Sequence, residues 1–272
     1  MKAFSSRKPF LFLGMAKKNR IVKSKKKSSN KAPLLLLLFA GACLAAFFVY
    51  IQYSKIQQPE PPILEVDSPI DIEIPDGYAS FGIDVSHHQG SIPWNELLQN
   101  KALDSTIQFV YCKVTEGIGH VDSQWASNHS TLQRLNKPHG GYHFFSIKSD
   151  PLLQAEHFLN HCDINENSLP PVLDVEKEGL SNSQLIKRMK IWLNAVEKFG
   201  GVRPIIYTSS HFFNTKFKHH FPNHQFWIAS YSREPDCIKD SRVIHWQYTE
   251  AGNVPGFDKP IDLNVSKITF EP

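Results

Sequence analysis

The sequence predicts an α/β fold in which a reduced, irregular (β/α)8-like barrel follows an N-terminal transmembrane helix. From residue 81 onward, segments rich in β-branched and aromatic residues alternate with segments of helical periodicity, which is typical of a largely parallel sheet. Eight segments read as strands, the number that closes a barrel of this kind. About 190 residues are few for eight complete β/α units, so we expect several later helices to be shortened or missing.

The N-terminal segment combines a basic region with an uncharged apolar one. Residues 1–31 contain eleven Lys or Arg and no Asp or Glu, and residues 32–51 contain no charged residue. At roughly 1.5 Å per residue, a helix of this length reaches about 30 Å, which is the thickness of a bilayer core. Because basic flanks stay in the cytoplasm, we predict that residues 1–31 are a cytoplasmic tail and residues 32–53 a transmembrane signal anchor.

Other outcomes for this segment stay open. The small residues Ala40-Gly41-Ala42 are compatible with signal-peptide cleavage, which would make the protein a secreted one. Cys43 follows them, as in an imperfect lipoprotein cleavage site. A buried core helix is the alternative to a membrane span, but core helices are rarely so uniformly apolar or so basic on one flank.

Residues 54–80 predict a stiff, acidic linker, because Pro59, Pro61, Pro62, Pro69 and Pro75 favour an extended chain. Residues 81–272 then form the barrel domain, which we expect to be monomeric and to lie outside the cytoplasm. Beyond the basic tail, 19 Lys and Arg stand against 26 Asp and Glu, a net charge of about −7. This acidic balance argues against nucleic acid as a partner, because phosphate binding needs a basic face.

The hydrophobic pattern of residues 81–272 predicts the strands and helices of the barrel domain. Strands are expected at residues 81–85, 107–114, 140–145, 171–176, 204–208, 225–231, 243–248 and 261–265, and helices at residues 93–98, 122–135, 151–161 and 182–199. In the last of these helices, Ser181 is the expected N-cap and Gly200 the stop signal.

The segment Leu173-Asp174-Val175-Glu176 carries the first candidate chemistry. Residues two apart in a strand point to the same face, so both carboxylates are expected on one side, about 6–7 Å apart at Cβ. Paired anions repel, so one carboxyl tends to keep its proton, and glycosidic cleavage requires a protonated acid beside an ionised one. The alternative is a surface strand end with two solvated acids, and on spacing alone the signal for a catalytic pair is weak.

Further observations favour the functional interpretation. The two acids follow an apolar run, which places them at the carboxyl end of a strand, the catalytic end of such barrels. Asp84 ends the first strand in the same way, and Asp262 lies in the last strand, which neighbours the first in a closed barrel. Aromatic side chains, on which sugar rings pack, recur at alternate positions of the other strands: Tyr142, Phe144, Tyr207, Trp227, Tyr231, Trp246 and Tyr248. Ordinary barrel core is the alternative for any one of them.

Taken together, a series of segments closely resembles the lysozymes of glycoside hydrolase family 25. These segments follow the family's order and cover almost all of residues 81–268: Gly82-Ile83-Asp84-Val85-Ser86-His87-His88-Gln89-Gly90, Lys113-Val114-Thr115-Glu116-Gly117, Gly141-Tyr142-His143-Phe144, Leu173-Asp174-Val175-Glu176, Ile206-Tyr207-Thr208, Trp227-Ile228-Ala229-Ser230-Tyr231, Trp246-Gln247-Tyr248-Thr249 and Asp262-Leu263-Asn264. The resemblance implies a (β/α)-type barrel with irregular later helices. It also implies hydrolysis of the β-1,4 bond between N-acetylmuramic acid and N-acetylglucosamine in peptidoglycan.

The resemblance also implies roles for single residues. Glu176 is the expected general acid, and Asp174 is expected to orient the substrate's 2-acetamido group or to stabilise the positive charge that builds on it. Asp84 and Asp262 are expected as supporting carboxylates on the cleft floor. The residues expected to line the sugar sites are Glu116, Tyr142, Phe144, Tyr207, Trp227, Tyr231, Trp246 and Gln247. Whether hydrolysis retains or inverts the configuration stays open, since substrate-assisted enzymes break the rule based on carboxylate separation.

The histidines and cysteines show no metal-binding pattern, so we predict neither a metal site nor a cofactor. His87-His88, His143 and His245 fall on separate segments without ligand spacing. Cys112 is expected in the core, and a disulfide between Cys162 and Cys237 is possible on sequence alone.

Two other functions remain as alternatives. A catalytically silent peptidoglycan-binding protein would keep the aromatic residues and lose an acid, whereas all four acids are present. A chitinase-like hydrolase also uses two acids two residues apart, but the residues before Asp174 lack the longer acidic motif of that family. The biological role, whether wall remodelling, secretion or antagonism, does not follow from the chemistry.

Overall fold

A computed structural model describes residue 41 and residues 43–51, 72–165 and 168–270. The chain divides into two compact units, Met1–Glu60 and Pro61–Pro272. In the first unit, residues 43–51 are helical. Within the described ranges, no helix has the length and apolar character needed to cross a bilayer. The predicted tail 1–31, most of the predicted anchor 32–53 and most of the predicted linker 54–80 lie outside the described residues.

The second unit alternates strands and helices. The strands are β1 (Ser80–Val85), β2 (Ile107–Glu116), β3 (His120–Val121), β4 (His139–Phe144), β5 (Val172–Asp174), β6 (Ile205–Ser209), β7 (Phe226–Ala229), β8 (Val243–Gly252) and β9 (Ile261–Ser266). The helices are α1 (Trp94–Gln99), α2 (Lys101–Thr106), α3 (Trp125–Arg134), α4 (Pro151–Leu159), α5 (Asn182–Gly200) and α6 (Ser210–Phe212), which continues as a π-helix over Phe213–Phe217. Short 3-10 turns occupy His87–Gln89 and Asp236–Lys239.

Eight of these strands close into a barrel, as predicted. The order around it is β1, β2, β4, β5, β6, β7, β8 and β9, with β9 pairing back to β1, while β3 forms a hairpin with the end of β2. Strands β1 to β8 of the barrel run parallel, but β9 is antiparallel to both of its neighbours. Residues 253–260 alone join β8 to β9, and a parallel crossover needs a dozen residues or more. The short connection therefore forces the reversal.

The helical layer is reduced in the second half of the barrel, which confirms the prediction from chain length. After β6 the described chain forms α6 and its π-helical extension, and after β7 it forms the 3-10 turn Asp236–Lys239. By contrast, α5 is a full helix that buries Met189, Trp192 and Leu193 against the barrel. A Ser181 capping box begins α5, as predicted, but the helix includes Gly200 and ends at Gly201, where φ is 76°. The predicted stop signal was therefore one residue early.

Two apolar layers fix where a ligand can enter. The larger packs between the strands and the helices. The smaller fills the barrel interior and consists of Phe109, Tyr111, Val172, Ile205, Tyr207, Trp227, Ala229 and Ile244, with Phe270 packed against it. A Cβ atom on Gly82 would lie 2.5 Å from the Phe109 ring, so this position accepts only glycine without rearrangement. Because side chains fill the barrel from within, the open space lies at its carboxyl end.

The cysteines of the second unit do not form the bridge that the sequence left open. Cys112, Cys162 and Cys237 are buried and free. The possible Cys162–Cys237 disulfide is therefore absent from the described structure, and the three side chains contribute to packing.

Candidate active site

A cavity of about 350 Å³ opens at the carboxyl ends of the barrel strands. Its lining comprises Asp84, Ser86, His88, Lys113, Tyr142, Phe144, Val172, Asp174, Glu176, Tyr207, Trp227, Tyr231, Gln247, Glu250 and Asp262. Val172, Tyr207 and Trp227 also belong to the apolar layer inside the barrel, so they form the floor of the cavity. The four carboxyl groups singled out in the sequence all face this one space.

Strand direction brings the four acids together. Asp84 lies near the end of β1, Asp174 ends β5, and Glu176 follows two residues later. Asp262 lies near the beginning of β9, and because β9 is antiparallel, this beginning meets the ends of the other strands. Asp84 and Asp262 are register partners in the β1–β9 pair, so they are directly opposite each other.

Strand β5 ends earlier than predicted, but the chain stays extended beyond it. The Val175 amide donates to the carbonyl oxygen of Tyr207, and Thr208 Oγ1 donates to the Val175 carbonyl oxygen at 2.8 Å. These bonds point the intervening side chain of Val175 into the core. Asp174 and Glu176 therefore emerge on the same side, as the alternation of an extended chain requires.

Asp84 is the most firmly held of the acids. Its Oδ2 atom accepts hydrogen bonds from Gln247 Nε2 and from Asn264 Nδ2, both at 2.8 Å. Trp227 Nε1 donates to Asn264 Oδ1 at 2.9 Å and so fixes that amide. Burial raises the pKa of Asp84, while the two amide donors and a hydrogen bond with Asp262 oppose the shift.

Asp262 is the partner that holds the shared proton. Burial raises its pKa, and the negative charge of Asp84 raises it further. A hydrogen bond between two carboxyl groups needs one proton, and the amide donors favour the ionised form at Asp84. Asp262 is therefore the neutral member of the pair at pH 7.

Asp174 is buried, and one of its oxygen atoms lacks a protein partner. Its Oδ1 atom makes no hydrogen bond to any described residue. Burial, followed by the charges of Glu176 and Asp84, raises the pKa of Asp174 well above its ordinary value. A buried polar atom without a partner costs about 1–3 kcal/mol, so this oxygen is available to a ligand.

Glu176 faces the open part of the cavity and is exposed there. The surrounding walls still withdraw it from bulk water, and this desolvation raises its pKa. The charge of Lys177 and a hydrogen bond with Tyr207 oppose the shift. Glu176 thus combines access to a ligand with a tendency to keep its proton, which are the two requirements for a general acid.

Six of the residues predicted to line sugar sites do line the cavity: Tyr142, Phe144, Tyr207, Trp227, Tyr231 and Gln247. Gln247 connects them to the acids, because its Oε1 atom accepts the hydroxyl protons of Tyr207 at 2.6 Å and Tyr231 at 2.8 Å. Its Nε2 atom donates to Asp84. Two of the aromatic residues, Tyr207 and Tyr231, are therefore connected to Asp84 through Gln247.

Glu116 and Trp246 lie outside the cavity lining. Glu116 is half-exposed and pairs with Lys113, whose Nζ lies 2.6 Å from Glu116 Oε2, so it reaches the cavity only through this lysine. Trp246 donates its ring N–H to the Ser230 carbonyl oxygen, and its ring packs 5.9 Å from that of Tyr78. Neighbours on a strand face opposite sides, so Trp246 and Gln247 do not share a face.

Sequence reasoning missed several residues of the site. Ser86, His88, Lys113 and Glu250 line the cavity, and Asn264 positions Asp84. Lys113 could have been predicted from the sequence, since it follows Tyr111 at the two-residue spacing of the inner face of β2. Glu250 gave no such signal, because the β8–β9 pairing shifts register between Gln247 and Thr249.

His143 faces away from the cavity, because it alternates with Tyr142 and Phe144 along β4. Its ring nitrogens bond to Thr115 Oγ1 at 2.8 Å and Gln154 Oε1 at 3.1 Å, and its ring stacks on Trp192. Burial lowers its pKa to about 4. This histidine is therefore a neutral component of the layer between the barrel and the helices.

Comparisons with known proteins point to one family. The family model for glycosyl hydrolases family 25 matches residues 83–257. Over 203 residues the chain is 36% identical to the protein YegX of Escherichia coli K12, covering 74% of each chain. It is 28% identical to lysozyme M1 of Streptomyces globisporus over 203 residues, covering 67% of this chain and 66% of the relative.

Solved structures show the same fold. A family 25 glycosyl hydrolase from Bacillus anthracis superposes with a TM-score of 0.66 at 29% identity, covering 73% of this chain and 93% of the other. The bacterial lysozyme from Streptomyces coelicolor superposes with a TM-score of 0.61 at 26% identity, covering 71% and 94%.

Proposed function

Since the chain belongs to glycosyl hydrolase family 25 and is therefore a glycoside hydrolase, we propose that it is a muramidase. Its proposed reaction is hydrolysis of the β-1,4 bond between N-acetylmuramic acid and N-acetylglucosamine in peptidoglycan. Relatives named lysozyme support this substrate. The observation that carries the proposal is the convergence of Asp84, Asp174, Glu176 and Asp262 on one cavity.

Glu176 is the proposed general acid. It faces the open cavity, and its raised pKa keeps a larger fraction protonated near neutral pH. A protonated Glu176 donates its proton to the glycosidic oxygen as the bond to the leaving sugar breaks. The charge of Lys177 stabilises the carboxylate that remains after the transfer.

Asp174 is the proposed partner of the substrate's 2-acetamido group. Its unpaired Oδ1 atom is buried at the cavity floor, where a polar group of the substrate would satisfy it. As positive charge builds on the sugar, the ionised form of Asp174 becomes favourable. The interaction therefore strengthens toward the transition state, which is the kind of interaction that accelerates a reaction.

Asp84 and Asp262 are the proposed supporting pair. They share a proton, and Asp84 is fixed by Gln247 and Asn264. The negative charge of Asp84 raises the pKa of Asp174, and through Gln247 Asp84 holds the hydroxyl groups of Tyr207 and Tyr231 in place. This pair acts on the substrate through the residues that it positions.

The proposed location follows from the substrate. Peptidoglycan lies outside the cytoplasmic membrane, and residues 1–53 combine a basic region with an apolar segment. We therefore place the barrel outside the cytoplasm, either held by residues 32–53 as a single-pass anchor or secreted after cleavage. Fractionation of cells, followed by protease treatment of intact spheroplasts, tests this: the barrel is expected to be accessible to the protease.

Digestion of purified peptidoglycan by the full-length chain, solubilised in mild detergent, tests the activity. New reducing ends identified as N-acetylmuramic acid are the expected product. Glu176→Gln removes the ionisable proton without changing size, and we expect hydrolysis to fall by at least about 100-fold. Glu178→Gln is the matched control, because Glu178 is exposed, pairs with Lys216 and does not line the cavity.

Three results would count against the proposal. If Glu176→Gln digested peptidoglycan at the parent rate, Glu176 could not be the general acid. Release of no soluble fragment by the parent chain would indicate a binding protein without activity. Equal turnover of chitin oligomers would point to a chitinase-like hydrolase.

A further inference from the structure

We propose that His87, His120 and Asp122 form a binding site for one divalent transition-metal ion at the rim of the cavity. Each of these three residues offers one ligand atom, and the three atoms lie within 4.8 Å of one another. The residues come from two separate places in the chain: His87 belongs to the turn after β1, and His120 and Asp122 belong to the β2–β3 hairpin and the residue after it. The sequence spacing alone therefore gave no sign of the cluster.

The set of donors defines the class of ion. Two imidazoles and one carboxylate favour zinc, nickel, copper or cobalt over magnesium and calcium, which prefer sites made of oxygen atoms. Ligand bonds of about 2.0–2.2 Å place tetrahedral ligand atoms about 3.4 Å apart. Since His120 is exposed, rotation of its side chain is enough to close the remaining distance. Water completes the coordination.

Asp122 gives the site a rigid base. Its side chain is buried, and its Oδ2 atom accepts the His87 backbone N–H at 3.0 Å and lies 2.7 Å from His87 Nδ1. Its Oδ1 atom accepts the Gln124 backbone N–H at 2.9 Å. An ion that takes the place of the proton between His87 Nδ1 and Asp122 Oδ2 would bind to both atoms. Two of the three donors are thus oriented before any ion arrives.

His120 is held by its backbone and leaves its side chain accessible. His157 Nε2 bonds to the His120 carbonyl oxygen at 3.0 Å, and Glu116 pairs with His120 in the β2–β3 ladder. The His87 and His120 rings meet edge to face with centroids 5.6 Å apart. The main chain therefore positions His120 over His87, while its imidazole can turn toward an ion.

An ion at this point would join two walls of the cavity. Ser86 and His88, on either side of His87, both line the cavity, and β1 carries Asp84 just before them. The β2–β3 hairpin follows Lys113 and Glu116. Bridging these two segments would restrain the rim next to the acids, so the expected effect is a rise in thermal stability on binding.

The test is zinc binding by the full-length chain prepared without a polyhistidine tag. Equilibrium dialysis against Zn²⁺, with the metal counted by elemental analysis, is expected to give one ion per chain. His120→Ala removes an exposed donor and leaves the Asp122–His87 pair intact, and we expect affinity to fall at least about 10-fold. His219→Ala is the matched control, because His219 is also exposed but lies in the turn after the π-helix.

Thermal melting gives a second measurement that does not depend on hydrolysis. Zn²⁺ is expected to raise the Tm of the parent chain and of His219→Ala, but not that of His120→Ala. The proposal is overturned if the parent chain binds no Zn²⁺, if His120→Ala binds as tightly as the parent, or if His219→Ala loses as much affinity. Failure here leaves the proposed muramidase activity untouched, because neither measurement reads peptidoglycan cleavage.

Discussion

Asp174 is a buried carboxyl group with one unpaired oxygen, on a cavity floor that also holds Asp84 and Asp262. The fold raises the pKa of Asp174 well above its ordinary value, so the folded state binds its proton more tightly than the unfolded state does. At neutral pH, ionisation of this group therefore opposes folding. Retaining such a group makes sense when its charge serves a ligand rather than the fold.

We therefore expect Asp174→Asn to raise the stability of the protein and to lower its activity. A neutral amide of the same size removes the cost of a buried charge, so we expect the free energy of unfolding at pH 7 to rise by about 1 kcal/mol. Hydrolysis should fall by about 100-fold or more, because the amide cannot carry the negative charge. Urea denaturation and peptidoglycan digestion measure the two quantities.

Asp258→Asn is the control for this prediction, since Asp258 is exposed and does not line the cavity. It is expected to change the free energy of unfolding by less than about 0.5 kcal/mol. A loss of stability in Asp174→Asn would mean that the carboxylate is held by favourable contacts, contrary to its unpaired oxygen.

The candidate site could be predicted from the sequence where the spacing of residues along a strand decides which way their side chains point. The pair Asp174 and Glu176 shares one side because two residues of extended chain separate them. The family resemblance placed both Trp246 and Gln247 at the sugar sites. Adjacent residues of β8 face opposite sides, and of these two Gln247 lines the cavity. Asn264 was missed because its role depends on contacts with Asp84 and Trp227, which are far away in the chain.

At the scale of single elements, α5 shows how local signals fix a boundary. Its N-terminus has a reciprocal capping box, in which Ser181 and Gln184 each bond to the other's backbone. At its C-terminus the chain leaves the helix through Gly201 with φ at 76°. Two consecutive glycines stand there, and the sequence did not distinguish the one that ends the helix from the one that still belongs to it.

Gly201→Ala tests the end of this helix. Nothing lies within 4 Å of a Cβ atom at this position, so the cost comes from the left-handed backbone alone. We expect the free energy of unfolding to fall by about 1 kcal/mol, with hydrolysis unchanged because α5 is remote from the cavity lining. Chemical denaturation followed by circular dichroism measures the change.

Gly119→Ala is the matched control, because its Cβ atom also meets open space but its φ lies outside the left-handed range. It is expected to leave stability within about 0.5 kcal/mol of the parent. Equal losses in the two variants would mean that the glycine at 201 is not held in a left-handed conformation.

The order of elements was predictable to a large extent, but strand direction and short elements were not. Eight strand segments gave the barrel, since each carries its own β-branched and aromatic pattern. The reversal of β9 depends on the length of the 253–260 connection. The alternation of strand and helix segments in the sequence does not indicate this reversal. The helix α2 and the hairpin strand β3 are short, and their sequences lack a clear period.

At the scale of the whole molecule, the barrel contains two sets of desolvated ionisable groups whose pKa shifts have opposite effects on stability. The carboxyl groups of Asp84, Asp174, Glu176 and Asp262 have raised pKa values. The imidazoles of His139, His143, His224 and His245 have lowered pKa values, because burial disfavours their charged forms. The first set favours folding at low pH, and the second set favours folding at higher pH.

The signs of these shifts define a pH window in which one set acts alone. An unfolded histidine binds its proton below about pH 6.5, so the lowered pKa values cost stability as the pH falls below that value. Above about pH 6.5 the histidines are neutral in both states. There, burial and the charge of Asp84 raise the pKa of Asp262 to about 9, so the folded state still holds a proton that the unfolded state has lost. Raising the pH through this range removes that proton, so stability is expected to fall.

We therefore predict that the free energy of unfolding decreases between about pH 6.5 and pH 8.5. One proton bound in the folded state alone gives a slope of at most about 1.4 kcal/mol per pH unit. Asp262→Asn removes the carboxyl that shares a proton with Asp84, and its slope is expected to be shallower than that of the parent. Urea denaturation at constant ionic strength across this range measures both slopes. Asp258→Asn, which changes an exposed acid, should keep the parent slope, and a flat profile for the parent chain would mean that the cavity acids are ionised in the folded state.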